Sequence, residues 1–183
     1  AKVDSVTVDG EGTYTINPTT GEVTFQPLPT FKGTATGVDV TLTAPVGQNK
    51  DGQDVTATAT TKYTPTVTAV EPTAKPADSA GVQGETQKGT PTFTAGNAEV
   101  PIKENSHKLL DKEGNEVQPG QTTPAYAEDG VTPVGTYSID PATGEVTFTP
   151  TDKTYTGKVT PAKVQAEDKN GTKVNTTYTP HIV

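Results

Sequence analysis

Hydrophobic and polar residues alternate with a period of two along much of this chain. The clearest runs are residues 13–16 (TYTI), 22–25 (EVTF) and 38–42 (VDVTL), and residues 54–59 (DVTATA) continue the pattern. Successive side chains of a strand point to opposite faces of its sheet. The alternation therefore predicts half-buried antiparallel strands, with threonine on the solvent face and valine, tyrosine or phenylalanine on the core face. A helical interpretation is disfavoured because 16 prolines and 18 glycines interrupt the chain and because threonine and valine are poor helix formers.

Turn sequences separate these runs. Residues 17–21 (NPTTG) and 140–144 (DPATG) combine a proline that opens a turn with a glycine that tolerates a positive φ. Residues 50–52, 113–115 and 169–171 are short polar segments with a glycine, and we predict that they form hairpin tips. The predicted fold class is all-β: tandem antiparallel β-sandwich-like repeat domains, elongated, with little or no helix.

An internal repeat organises the chain. Residues 12–27 (GTYTINPTTGEVTFQP) and 135–150 (GTYSIDPATGEVTFTP) are identical at 12 of 16 positions. The likeness continues with small gaps through an aromatic-x-glycine triplet at residues 31–33 and 155–157, and ends at a Tyr-Thr-Pro triplet at residues 63–65 and 178–180. Two copies of one β-unit therefore lie in tandem.

The two copies differ upstream of this shared block. We expect a first repeat at residues 1–70, short or truncated at its N-terminus, and a second, more complete repeat at residues 71–183. The first copy is longer around residues 44–49. Proline and charge in residues 71–78 predict a stiff, extended linker, and the polar residues 79–89 predict a loop.

Composition narrows the classes of function. The 183 residues carry a net charge of -8, include no Cys, Met or Trp, and contain 38 Thr and 20 Val but no Arg. Without cysteine there is no disulfide framework and no thiolate nucleophile. An acidic chain without arginine is a poor ligand for nucleic acid, and no apolar run approaches the length of a membrane span. Val, Leu, Ile and Phe make up 32 of the 183 residues, below the roughly 20% at which disorder becomes an alternative.

The polar loops offer weak candidates for metal binding and catalysis. Residues 111–115 and 168–171 loosely resemble calcium loops, but both lack ligands at alternate positions and a terminal glutamate, so hairpin turns are favoured. His107 and His181 have no neighbouring ligand or catalytic partner in the sequence and are expected to be structural or exposed. Glu128 and Asp129 lie beside a glycine and predict a turn, whereas a glycosidase would need two carboxylates across a cleft.

Two further groups of residues have alternative interpretations. Lys173, Asn175 and Glu145 supply the residue types of an internal Lys–Asn isopeptide cross-link, although exposed side chains are the favoured interpretation. Tyr14, Phe25, Tyr137 and Phe148 recur at equivalent positions of the two copies, and we expect them to form a small core rather than a platform for carbohydrate. We therefore expect no catalytic, cofactor-binding or metal-binding residue and no cofactor.

The repeated pattern GTYxIxPxTGEVTFxP, followed by aromatic-x-glycine and a closing Tyr-Thr-Pro, resembles the repeat domains of CshA-type fibrillar surface adhesins of streptococci. Residues 89–96 (GTPTFTAG) also resemble the start of such a repeat. The resemblance covers the second unit nearly throughout, and about the C-terminal two-thirds of a unit in the first. It implies tandem β-domains in the stalk of a secreted adhesin anchored to the cell wall, through a part of the parent chain that is not present here. In that family, host binding is associated with a non-repetitive region.

Three functions follow as hypotheses. The first is a structural stalk or spacer of a cell-surface fibril, without catalytic activity, whose partners are neighbouring repeats of the same chain. The second is an adhesive module that binds a host protein, matrix or glycan, or other bacteria, through loops or edge strands. Residues 44–50 are the candidate loop for that role. The third, a cell-wall or glycan hydrolase, is remote because catalytic groups are scarce. Nucleic acid is not expected as a partner, and no membrane span is expected in this segment.

Overall fold

The computed structural model describes residues 3–183, which contain strands and no helix. The all-β prediction is therefore confirmed. The chain folds as two compact units, unit 1 (Ala1–Ala69) and unit 2 (Val70–Val183). The first two residues of the predicted first repeat lie outside the described part.

Unit 1 contains three small antiparallel sheets, in the orders β1-β2-β3, β4-β7 and β5-β6. Its strands are β1 (Ser5–Val8), β2 (Gly12–Ile16), β3 (Val23–Pro27), β4 (Gly33–Thr34), β5 (Val38–Gln48), β6 (Asp54–Tyr63) and β7 (Thr66–Val67).

Unit 2 contains two four-stranded sheets, in the orders β10-β15-β14-β13 and β12-β16-β17-β9, and a two-stranded sheet, β11-β8. All its strand pairs are antiparallel except β17 with β9, which run parallel. The strands are β8 (Thr73–Lys75), β9 (Ala77–Gly81), β10 (Gln87–Gly89), β11 (Thr92–Thr94), β12 (Lys108–Leu110), β13 (Thr123–Tyr126), β14 (Pro133–Ile139), β15 (Val146–Pro150), β16 (Ala162–Glu167) and β17 (Lys173–Ile182).

Both four-stranded sheets of unit 2 contribute to one core. Tyr137 and Phe148 come from one sheet, Val164 and Tyr178 from the other, and each is at most 1% exposed. The rings of Tyr137 and Tyr178 meet edge to face with centroids 6.2 Å apart. A shared core between two sheets is what a two-layer arrangement requires. The second copy of the repeated block also alternates, because Phe148 is buried and Thr149 is exposed on the opposite face.

The two repeated blocks form the same hairpin. In unit 1, Tyr14 pairs with Phe25 and Ile16 with Val23. In unit 2, Tyr137 pairs with Phe148 and Ile139 with Val146, at the same offset in sequence. Both connecting turns are capped alike: the side-chain oxygens of Asn17 and Asp140 accept backbone N–H groups two residues on, at 2.9 Å. The predicted turns at residues 17–21 and 140–144 are confirmed.

A second hairpin is also repeated, but with different lengths. β5 and β6 pair from Val38 and Tyr63, and β16 and β17 pair from Ala162 and Tyr178. The unit 1 hairpin continues through residues 44–57, which we name the distal hairpin, with a bulge between Pro45 and Gly47. The predicted lengthening around residues 44–49 is thus a hairpin extension, and its tip at residues 50–52 is confirmed.

The β5–β6 hairpin corrects the alternation prediction. Residues 54–59 were expected to be half-buried, yet every one of them is exposed, because no other layer of unit 1 covers either face. Hydroxyl groups join the strands across the exposed surface, with Thr43 Oγ1 3.1 Å from Thr58 Oγ1. Similar hydroxyl pairs link Thr7 to Thr13 at 3.2 Å and Thr34 to Thr66 at 3.3 Å.

The linker prediction for residues 71–78 is wrong, and the loop predicted at residues 79–89 is confined to residues 82–86. Residues 73–75 form β8, which pairs with β11, and residues 77–81 form β9, which pairs in parallel with β17. Residues 87–89 form β10 beside β15. Prolines at the ends of short strands gave this segment the composition of a linker, whereas its partners lie far away in sequence.

Candidate functional site

An open cleft of about 260 Å³ lies in unit 2, on the side where the edge strands β12 and β13 lie. Its floor includes Tyr137, and its rim includes Tyr126, Lys112 and Lys163. Edge strands leave one side of a sheet without a neighbouring strand, so such a position is open to an additional ligand or chain. We name it the Tyr126 cleft.

The polar groups of the Tyr126 cleft bind mainly one another. The Tyr137 hydroxyl donates to the Thr160 carbonyl oxygen at 2.5 Å, and the Thr160 N–H donates to the Tyr126 carbonyl oxygen at 2.9 Å. Lys163 Nζ donates to the Lys112 carbonyl oxygen at 3.1 Å. Lys112 Nζ lies 4.9 Å from the centroid of the Tyr126 ring, within cation–π range. The rim therefore presents one aromatic ring and two ammonium groups, which suit contact with an acidic or hydroxyl-rich ligand.

The buried tyrosines of unit 2 are held in their protonated form. Burial raises the pKa of Tyr137, and the neighbouring Tyr178 raises it further. Burial also raises the pKa of Tyr178, against an opposing hydrogen bond with Ser79. Both hydroxyls therefore act as fixed structural groups rather than as acids or bases near neutral pH.

The distal hairpin is the second candidate surface, and it contains the sequence-predicted loop at residues 44–50. Leu42 at its base is 69% exposed and Val46 on its bulge is 63% exposed. At the tip, Asn49 Oδ1 accepts the N–H groups of Asp51 and Gln53, each at 2.9 Å. Both outer edges of β5 and β6 lack a partner strand among residues 3–69. The hairpin can thus offer backbone hydrogen bonds and scattered apolar contacts, the chemistry of strand addition.

The two loops that resembled calcium sites are hairpin turns, as favoured. Asp168 is 1% exposed, and its Oδ1 accepts the N–H groups of Asn170 at 2.9 Å and Thr172 at 3.0 Å. Asp111 Oδ1 accepts the N–H groups of Glu113 and Asn115 in the same way. Each carboxylate caps its own turn. Across residues 3–183 no group of three or more His, Asp or Glu side chains is placed to hold a metal ion.

The two histidines lie at structural positions. His107 is half-buried, with Nδ1 3.0 Å from the Pro141 carbonyl oxygen, and its ring contacts Phe93 edge to face. His181 is exposed on β17, with Nε2 3.1 Å from Asp78 Oδ1. Each histidine thus links two segments that are distant in sequence.

Asp129, Lys173 and Glu145 each bind a neighbouring group. Asp129 caps a turn, and hydrogen bonds from the Thr132 hydroxyl and from the N–H groups of Thr132 and Val131 lower its pKa. Lys173 Nζ contacts Glu116 at 3.3 Å and Glu145 contacts Lys88 at 3.7 Å, both on the surface. Lys173 and Glu145 therefore belong to different surface ion pairs.

Sequence reasoning missed the Tyr126 cleft. Lys112 follows β12 and Tyr126 ends β13, and these strands belong to different sheets. Their proximity depends on how the two sheets pack, which no local pattern reports. The available signal was a lysine inside the predicted hairpin tip at residues 111–115.

Comparison with known proteins gives one finding. The family described as the surface adhesin CshA repetitive domain matches residues 1–67 and residues 69–182. No curated protein matches the chain. Within residues 3–183, no helix has the length and apolar character needed to cross a membrane.

Proposed function

The chain belongs to the family of surface adhesin CshA repetitive domains, and from this premise we propose that its two units are spacer repeats of a bacterial cell-surface fibril. In this proposal unit 1 and unit 2 are two copies of one module, and neighbouring repeats of the same chain are the immediate partners. The chain lies outside the cell, and its parent protein is a streptococcal adhesin anchored to the cell wall.

One observation carries the proposal: the repeated sequence block forms the same hairpin twice, with the same strand register. In a spacer, each module folds through contacts within itself. Adding copies then lengthens the chain and requires no new contacts between modules. Composition supports an exposed location, because the chain has no Cys, Met or Trp to oxidise.

We also propose that the chain has no catalytic activity. The family is one of surface adhesins, and the Asp129 carboxylate, which was considered for acid–base chemistry, caps a turn. In the Tyr126 cleft, the lining carboxylate of Asp111 is bound by two backbone N–H groups.

The test is to display a peptide epitope on a bacterial surface above one, two or four tandem copies of the 183-residue chain. The height of the epitope above the membrane is measured by fluorescence interferometry. We expect the height to increase with every added copy. Equal heights for one and four copies would contradict the spacer function. A flexible Gly/Ser linker with the same number of residues is the control for length alone.

A second function, adhesion by the repeats themselves, is favoured by the aromatic and ammonium groups on the rim of the Tyr126 cleft. Its test is to coat beads with the chain and measure their attachment to host cells and to immobilised glycans. Binding that falls at least ~10-fold in the Tyr126→Ala variant would support adhesion. Thr149→Ala, an exposed change on another strand of unit 2, is the matched control. Attachment equal to that of uncoated beads would contradict adhesion by the repeats, and the spacer function would then be the one that remains.

A further inference from the structure

Unit 1 reproduces only part of the strand set of unit 2. β1 corresponds to β13, because Val6 pairs with Tyr14 as Thr123 pairs with Tyr137. β2, β3, β5 and β6 correspond to β14, β15, β16 and β17 by register. The β4–β7 pair corresponds to the bridge between Lys158 and His181. Residues 3–69 contain no counterparts of β8 to β12.

In unit 2 these five strands lie against the repeated hairpins. β12 pairs with β16, placing Leu109 opposite Val164. β9 runs parallel to β17 along Tyr178–Ile182, and β10 pairs with β15 opposite Phe148. We name residues 71–117 the covering segment. It supplies an additional neighbouring strand to β15, β16 and β17, and the counterparts of these strands in unit 1, β3, β5 and β6, lack that neighbour.

The difference appears in the burial of matched side chains. Ala166 on β16 is fully buried, whereas Leu42, its counterpart on β5, is 69% exposed. The same holds for three further pairs in which the residue type does not change. Each of these residues is at most 1% exposed in unit 2 and only half-buried in unit 1: Val146 and Val23, Phe148 and Phe25, Tyr178 and Tyr63. The side of unit 1 that corresponds to the core side of unit 2 thus keeps its apolar residues, but no covering strands bury them.

The equivalent buried tyrosines Tyr14 and Tyr137 are bonded differently in the two units. The Tyr14 hydroxyl is buried and has no hydrogen-bond partner among the described residues, whereas the equivalent Tyr137 hydroxyl donates to Thr160. Thr36, which corresponds to Thr160, donates its N–H and its hydroxyl to the Glu11 carboxylate, whereas the Thr160 N–H donates to the Tyr126 carbonyl oxygen. A buried hydroxyl without a partner destabilises the folded state, because it has lost its hydrogen bonds to water. The Tyr14 hydroxyl thus lacks the acceptor that its counterpart has in unit 2.

We propose that unit 1 is a strand acceptor whose occupant is a polypeptide of the same kind as the covering segment. A β12-like strand adds antiparallel to β5 at residues 39–41. A β9-like strand adds in parallel at residues 63–67, and a β10-like strand adds to β3 at residues 23–25. The registers are those of unit 2, and backbone hydrogen bonds with apolar contacts supply the affinity.

The first test adds a second copy of residues 70–117 directly before residue 1 of the full chain. That junction follows the strand pairing, in which residue 118 of unit 2 corresponds to residue 1. Hydrogen exchange with mass spectrometry measures backbone protection in unit 1. We expect exchange to slow at least ~10-fold at residues 23–25, 38–42 and 63–67. The end of the distal hairpin at residues 48–54 extends beyond the part of the equivalent hairpin that the covering segment contacts in unit 2, so these residues are expected to keep their exchange rate.

The matched control carries the same extension with both Leu109 and Leu110 of the added copy changed to Asp. This extension has the same length, but it places a carboxylate instead of the Leu109 side chain opposite Val40, so the protection is expected to be lost. A second pair of variants changes the acceptor: Leu42→Asp is expected to remove the protection, and Leu28→Asp, on an exposed position outside the proposed face, to leave it. Equal protection from both extensions, or none from either, would overturn the proposal.

The competing occupant is a second copy of the chain, paired edge to edge. Sedimentation velocity on the unextended chain between about 10 µM and 1 mM, the range in which weak association is populated, separates the two. A monomer throughout supports the covering segment as the occupant. Dimers whose formation slows exchange at residues 38–42 would overturn it in favour of self-association.

Discussion

Packing, rather than residue type, separates the matched side chains of the two units. Phe148 is 1% exposed inside the core of unit 2, whereas Phe25, in the same hairpin register, is only half-buried. Removal of a buried phenylalanine side chain costs about 3–5 kcal/mol, but removal of a half-buried one costs about 1–2 kcal/mol. We therefore expect Phe148→Ala to destabilise unit 2 far more than Phe25→Ala destabilises unit 1.

Urea unfolding followed by residue-resolved NMR measures the free energy of unfolding of each unit separately. The two variants are each other's control, because both remove the same atoms from the same position of the repeat. Equal losses in the two units would show that the face of unit 1 is covered in solution.

A second prediction at this scale concerns alkaline pH. Burial raises the pKa of Tyr137 in the folded state above its ordinary value near 10. The folded unit therefore holds its proton more tightly than the unfolded chain. This stabilising contribution is complete below about pH 10 and is lost as the pH rises. We expect the free energy of unfolding of unit 2 to fall between about pH 10 and 11.5, and to fall less steeply in Tyr137→Phe.

The measurement is a series of urea titrations at fixed ionic strength across that pH range. Tyr137→Phe also loses the hydrogen bond to Thr160, so its stability at pH 7 is expected to be lower even though its slope is shallower. Tyr126→Phe is the control, because it removes a hydroxyl of unit 2 from the rim of the cleft and not from the core. If the free energy of unfolding fell equally steeply with pH in the wild type and in Tyr137→Phe, a raised pKa of Tyr137 in the folded state would be contradicted.

Residue patterns predicted part of the structure well. Four aromatic residues were expected in the core. Tyr14, Tyr137 and Phe148 are at most 2% exposed, whereas Phe25 is only half-buried. Leu42 was expected on a core face in the same way but is exposed, because alternation shows which residues share a face and not whether another layer covers that face. The Tyr126 cleft depends on the same missing information.

At the scale of the elements, hairpins were predicted better than the pairing of strands that are distant in sequence. Turn chemistry is local, so the tips at residues 50–52, 113–115 and 169–171 could be located from glycine and polar residues alone. The strands β8, β9 and β10 could not, since each is short, three to five residues. A strand of that length has little periodicity, and its identity depends on pairing with distant residues.

The distal hairpin gives the prediction for this scale. Its residues are exposed on both faces and are bonded mainly across the hairpin itself. We expect that replacing residues 44–57 by residues 168–172, the short turn of unit 2, will change the free energy of unfolding of unit 1 by less than about 0.5 kcal/mol. Asp168 and Asn49 cap their turns through the same pattern of N–H contacts, so the shortened hairpin keeps a suitable tip.

The stability of the shortened chain is measured by urea unfolding against the full-length chain. A control variant carries Tyr14→Ala, which removes a buried side chain of unit 1 and is expected to destabilise it strongly. A loss above about 1 kcal/mol from the shortened hairpin would show that the distal residues make contacts beyond their own strands.

At the scale of the whole molecule, the two units differ in how much apolar surface they bury. The buried hydrophobic side chains of residues 3–69 are Tyr14 and Ala35, whereas unit 2 has a continuous core built from both of its four-stranded sheets. Burial of apolar area is the main favourable term in folding. We expect two unfolding transitions, with unit 1 unfolding at the lower urea concentration.

Hydrogen exchange at increasing urea concentration assigns each transition to its unit. The aromatic pair of each hairpin provides equivalent probes, since both pairs lie at the same register. One transition shared by all probes, or loss of unit 2 first, would contradict the prediction. The sequence repeat predicted two copies of a module, but the unequal burial depends on strands that lie outside the repeated block.

The hydroxyl pairs that join exposed strands have a consequence for the environments in which this chain can keep its shape. Thr7 with Thr13, Thr34 with Thr66, and Thr43 with Thr58 form contacts between uncharged groups. Dissolved ions weaken attraction between exposed charges, and they leave a contact between two hydroxyls nearly unchanged. A surface rich in threonine can thus keep its cross-strand contacts at low and at high ionic strength. This property suits a protein whose surroundings change in salt concentration.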